Sequence, residues 1–125
     1  MKTIQIKLPN INNMKTIQIK LPNISDISWV VTCEYEHTHP RGYFASDDNE
    51  FDEQIVQSIL KNSEWNEWAW CMVKVEGIYK GLSAYNYIGC CSNESREDFI
   101  ENSGSFVDMQ EEVYGQIIKQ LEDLK

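Results

Sequence analysis

Two neighbouring stretches of alternating apolar and polar residues commit the middle of this chain to an antiparallel sheet. Trp68–Glu76 (WAWCMVKVE) places Ala69, Cys71, Val73 and Val75 on one face and Trp68, Trp70, Met72, Lys74 and Glu76 on the other. A loop around Gly77 and Gly81 then leads into a partner strand, Leu82–Cys91. Ser28–Glu36 repeats the pattern, with Trp29, Val31, Cys33 and Tyr35 on one side, and Ile17, Ile19 and Leu21 form a further half-buried strand. Between these segments the period changes. Asp47 or Asp48 caps a helix reaching about Asn62, with Phe51, Ile55, Ile59 and Leu60 as its buried stripe. Ser95 caps a short turn (REDFIEN), interrupted at Gly104, and Ser105 opens a final helix. Its apolar face is Phe106, Met109, Val113, Ile117, Leu121 and Leu124, widened by Val107, Tyr114 and Ile118. The expected fold is α+β, an antiparallel sheet packed against helices in the order β-β-α-β-β-turn-α. The wide last helix and four tryptophans in so small a domain predict a homodimer.

One feature stands outside this pattern. Residues 1–11 and 14–24 are the same eleven residues, MKTIQIKLPNI, joined by Asn12-Asn13. Solenoid repeats run to about 20–50 residues and recur several times, so this one reads as a duplicated start, from a cloning scar or an upstream start codon. Residues 1–13 are expected to be a leader and 14–125 a single α+β ligand-binding domain.

Composition excludes several functions. Eleven Lys and Arg face 20 Asp and Glu, a formal net charge of −9, which disfavours DNA or RNA as a partner because phosphate neutralisation needs clustered cations. No apolar run reaches the ~20 residues of a membrane helix, and the alternation after Met1-Lys2 is not that of a secretory signal. A cytoplasmic protein is expected. The cysteines (Cys33, Cys71, Cys90 and Cys91) make no C-x-x-C pair, and alternation sends Cys90 and Cys91 to opposite faces. His37-x-His39 offers two zinc ligands, with Cys33 or Glu36 nearby as a third, but lacks a second ligand cluster at recognisable spacing, so neither metal nor cofactor is assigned. Nucleophile elbow, Walker loop and dinucleotide fingerprint are absent from the sequence. No catalytic residue is assigned, and a non-enzymatic protein is expected. The acidic run Asp47–Glu53 fits a capped, solvated helical turn; its alternative is a surface mimicking a nucleic-acid backbone.

The only arginines are Arg41, ahead of Gly42-Tyr43-Phe44, and Arg96, after Ser95 and ahead of Phe99. Each either pairs with a surface carboxylate or forks onto a phosphate beside an aromatic ring.

The stretch from Trp65 to about Leu121 combines a W-x-W-C strand (Trp68–Cys71), a partner strand ending Gly89-Cys90-Cys91-Ser92, an E-D-F turn (Glu97–Phe99) and a helix opening Phe106-Val107-Asp108-Met109. This combination resembles the phage Thoeris anti-defence family of the first type. It departs from that pattern at Cys90-Cys91, where a Gly-Cys or Gly-Gly step would stand, and before Trp65 no motif matches. The resemblance implies a sponge that binds, without cleaving, a cyclic ADP-ribose isomer made by bacterial TIR-domain enzymes in the cytoplasm of an infected host. It also implies a dimer with nucleotide pockets at or near the interface, and separate sites for cyclic oligonucleotide signals in a larger assembly. On that reading Arg41 and Arg96 hold phosphates or ribose hydroxyls and Phe99 or Phe106 stacks on adenine. Asn93 and Asp108 read base or ribose, and Met109 is an apolar wall. The competing expectation is an acidic inhibitor whose carboxylates occupy the nucleic-acid channel of a restriction or CRISPR complex.

Overall fold

The computed structural model describes residues 3–9 and 14–124. Its centre is a three-stranded antiparallel sheet in the order β3 (Ser28–Glu34), β4 (Cys71–Tyr79), β5 (Leu82–Cys91). β4 and β5 join through Lys80 and Gly81, with φ of 48° and 82°. Two successive residues at positive φ make the tight turn whose twist matches paired strands, and Tyr79 pairs directly with Leu82 across it. Gly77 is therefore not part of a loop, as its composition suggested, but an interior residue of β4. It is glycine for want of space: a Cβ there would lie 3.0 Å from Ile27 Cγ2 and Val113 Cγ1 and 3.1 Å from Trp29 Cζ3.

The helices are α1 (Pro40–Tyr43), α2 (Asn49–Ser63), α3 (Arg96–Asn102) and α4 (Ser105–Glu122). α4 lies over β4 and β5 and α3 over β3, so one sheet face is covered. Alternation puts Cys71, Val73 and Val75 on that face. Val73 and Val75 join Val31, Phe99 and Met109 in one core cluster; Val113, Ile117 and Leu121 meet Leu21, Ile27 and Ala84 in a second. Burying these apolar groups supplies the main favourable free energy of such a fold. On the opposite face Lys74 Nζ sits 4.8 Å from the Tyr85 ring centroid, and Val30, Ile78, Tyr85 and Tyr87 are exposed.

Other expectations also need correction: β3 ends at Glu34, which leaves Tyr35 exposed beyond it. The first strand does not join the sheet: β1 (Thr3–Pro9) and β2 (Met14–Lys20) pair with each other as a separate two-stranded sheet. β4 starts at Cys71, because Asn66 Oδ1 accepts the Trp68 N–H and turns Glu67–Ala69 into a 3-10 helix. The buried stripe of α2 is Asp52, Val56 and Ile59, whereas Phe51 is 54% exposed. The buried carboxylate explains the rotation. Asp52 accepts from the Ser46 N–H at 2.7 Å and the Ser46 hydroxyl at 2.6 Å, so its charge is hydrogen-bonded inside the fold. The predicted caps hold: Asp48 accepts from Phe51 N–H and Ser95 from Asp98 N–H. Among the described residues no helix is long and apolar enough to cross a membrane.

Candidate functional site

Beyond the end of β3 the chain follows no regular structure, bending at Thr38, until Pro40 occupies the first position of α1, where its missing N–H costs nothing. His39 caps that turn, its Nδ1 accepting the Arg41 N–H at 3.0 Å. Trp70 Nε1 donates to the Thr38 carbonyl at 2.7 Å, and the Tyr43 and Phe44 rings lie 5.7 and 6.2 Å from Trp70. Glu36 closes the other side. It accepts from Thr38 N–H at 3.0 Å and, across the sheet, from Cys90 N–H at 2.8 Å.

That second bond depends on an irregularity in β5. The register passes from Cys71↔Cys91 to Val73↔Ile88, so Gly89 and Cys90 stand against one residue of β4, a bulge with Cys90 at φ 56°. A Cβ on Gly89 would lie 2.9 Å from Glu36 Oε2. Glycine here lets the carboxylate reach the backbone. The bulge also interrupts the alternation from which opposite faces were expected for Cys90 and Cys91.

These contacts enclose a cavity of about 510 Å³, whose walls include Leu60, Trp70, His37, His39, Glu36 and Glu67. Small-ligand sites span about 300–1,000 Å³. The two backbone N–H donors hold the Glu36 carboxyl below the usual carboxylate range. At the cavity wall, burial and then Glu67 push the Cys33 thiol up to about 11. Burial also takes Cys71 up to about 12 and Cys91 to about 11, so these thiols stay protonated at neutral pH and are poor nucleophiles. All four cysteines are free. Among the described residues no group of three or more His, Cys, Asp or Glu side chains is placed to hold a metal ion. Among the described residues no Lys or Arg lines the cavity. An indole wall with carboxylates suits a flat ring bearing hydroxyl groups better than a bare phosphate, because carboxylates accept from sugar hydroxyls.

Arg41 follows Pro40, a wall residue, but its guanidinium turns to α2. Nη2 donates to Glu53 Oε1 at 2.7 Å and Nε to Oε2 at 3.3 Å. The pair is half exposed. It depresses the Glu53 carboxyl from an ordinary 4.5 to about 2, chiefly through the Arg41 hydrogen bonds and then Gln57. A carboxyl lowered on folding stabilises the fold above its ordinary value, and that contribution disappears as pH falls toward the depressed one. An NMR carboxyl titration is expected to find Glu53 protonating near 2; a midpoint near 4.5 would mean that the pair does not form in solution.

The other expected site residues lie elsewhere. Arg96 Nε donates to the Val31 carbonyl at 3.1 Å and Nη1 to Glu97 at 3.3 Å, which ties Arg96 to β3. Arg41 lines a separate cavity with Phe44 and Glu53, and among the described residues Arg96 is not part of that lining. Asn93 donates its N–H to the Trp68 carbonyl at 2.8 Å and lines a second cavity of about 370 Å³ with Trp65 and Asp98. Its Nδ2 is buried without a partner. Phe99 and Met109 are core residues, with Phe106 packed against Phe99 at 6.4 Å between centroids; packing, not a cavity, brings these three together. Asp108 is exposed in the first turn of α4.

The acidic run also divides, since Asp48 caps α2, Asp52 faces inward and Glu53 holds Arg41. Sequence reasoning missed Glu36, Glu67 and Trp70 as wall residues. Trp70 stands in the W-x-W-C motif, but the sequence reading places it, with Trp68, at an interface or in the core rather than on a cavity wall. Comparison of the chain with protein-family models, curated proteins and solved structures finds no match.

Proposed function

We propose that this chain is a non-enzymatic binding protein that sequesters a small cyclic nucleotide of the cyclic ADP-ribose class. On this reading it acts as a phage anti-defence protein in the cytoplasm of an infected bacterial host. The observation that carries it is the cavity beside Trp70, of a size for a nucleotide, with carboxylates on its wall and an arginine one residue beyond Pro40. The base stacks on the Trp70 indole, and Glu36 and Glu67 accept ribose hydroxyls. The phosphates lie at the rim, where Arg41 leaves Glu53 to take them. That exchange is easy: water screens an exposed ion pair, and a phosphate accepts the same guanidinium fork. The protonated Cys33 thiol on the wall suits binding without a covalent step. The sequence resemblance supports the same ligand class, and the sheet face left open by the helices, where Val30, Ile78, Tyr85 and Tyr87 stand exposed around Lys74 and Glu76, offers a surface for the dimer it implies.

Thermal-shift titration of the full chain with cyclic ADP-ribose isomers, and in parallel with cyclic di- and trinucleotides, tests the proposal. Ligand at one hundred times its Kd adds about 2.7 kcal/mol to stability, so a rise in Tm that grows with the cyclic ADP-ribose concentration is expected. No shift with any isomer would overturn it. Tight binding to a basic protein, lost steeply as salt rises, would instead favour the acidic inhibitor.

A further inference from the structure

The two identical eleven-residue segments pair with each other, and the register of that pairing is symmetric. Gln5 faces Gln18, the same position of the two copies. On either side Ile4 faces Ile19 and Ile6 faces Ile17, so the counterparts of one pair, Ile17 and Ile6, form the other pair. The symmetry extends to Thr3↔Lys20 and Lys7↔Thr16. Two copies of one chain make the same pattern across a two-fold interface, where residue i meets j and j meets i. The ribbon is also a sheet of its own, apart from β3-β4-β5, and an isolated two-stranded hairpin is marginally stable in water.

We propose that β2 is a self-pairing strand through which two copies of this chain associate, and that β1 occupies that edge within each chain. In trans the register keeps its axis at position 18, with Gln18 facing the second copy's equivalent residue. β1 excludes the second copy by proximity: it is joined to β2 by residues 10–13, and a short tether gives an effective concentration of the order of millimolar. The leader thus limits assembly. Opening it exposes an unpaired edge, which recruits another strand. This does not depend on the nucleotide reading and adds a contact separate from the open face of the central sheet.

The test leaves the chain full length. Replacing both Gln5 and Ile6 by proline removes a ladder N–H whichever of the two faces β2. Light scattering at equal concentration is expected to show at least a two-fold rise in mass over the parent. Adding Gln18→Pro and Ile19→Pro should return the parent mass. In the leader-broken chain, Gln18→Cys should give an oxidised dimer linked through position 18. Directly paired Cα atoms lie about 4.5–5.5 Å apart, within disulfide reach. Ile17→Cys should link far less, because it faces position 19 of the second copy. An unchanged mass in the leader-broken chain, or equal linkage at 17 and 18, would overturn the proposal.

Discussion

Replacing Phe99 by alanine is expected to destabilise the protein by about 3–5 kcal/mol, the usual cost of emptying a buried aromatic site. Phe99 is 1% exposed. Its ring clusters with Val31, Val73 and Val75 from the sheet and Met109 from α4, with Phe106 at its edge. The surrounding groups sit on two strands and a helix, so little of the space can collapse once the ring is gone. Against a total stability of about 5–15 kcal/mol the loss is large, and urea unfolding will measure it directly. Phe99→Leu keeps most of the volume and should cost less. A Phe99→Ala variant within ~0.5 kcal/mol of the parent, the range of a surface substitution, would remove Phe99 from the core. Any fall in ligand affinity in this variant should follow its loss of fold.

The second large effect is at Trp70. Trp70→Ala removes the indole wall, and base–aromatic stacking is worth about 1–3 kcal/mol per base. The expected result is a fall in affinity for a cyclic ADP-ribose isomer of about 5–150-fold. The same change deletes the donor to the Thr38 carbonyl. Trp70→Phe separates the two roles: it keeps a ring but has no N–H. Partial retention of affinity by the phenylalanine variant would assign the binding energy to stacking. Equal losses in both variants would assign it to the anchored Thr38 segment, and full affinity in the alanine variant would move the ligand out of this cavity.

What was legible in the sequence followed the strength of local periodicity. Cys71, Val73 and Val75 alternate inward as read, and Ser95 and Asp48 cap where expected. Met109, Val113, Ile117 and Leu121 form the buried line of α4. Errors arose where tertiary contacts outweighed local preference. Gly77 read as a turn residue, but the side chains of Ile27, Val113 and Trp29 crowd its Cα. Phe51 read as core, but Ser46 holds Asp52 inward and turns α2 by one residue. The candidate site was the least legible part. Its walls are set by Glu36 reaching a backbone N–H 54 residues away and by Trp70 anchoring Thr38, 32 residues away. No periodicity encodes such contacts. Arg41 and Arg96 were visible as the only two guanidiniums, but not that one would be held by α2 and the other by β3.

One measurement bears most directly on binding without cleavage. The full chain is incubated with a cyclic ADP-ribose isomer, freed of unbound ligand and gently denatured, and the released species is identified by mass spectrometry. The expected result is recovery of the intact cyclic nucleotide, in an amount that does not decline with incubation time. Recovery of a hydrolysed product with turnover, or of no nucleotide at all, would contradict it.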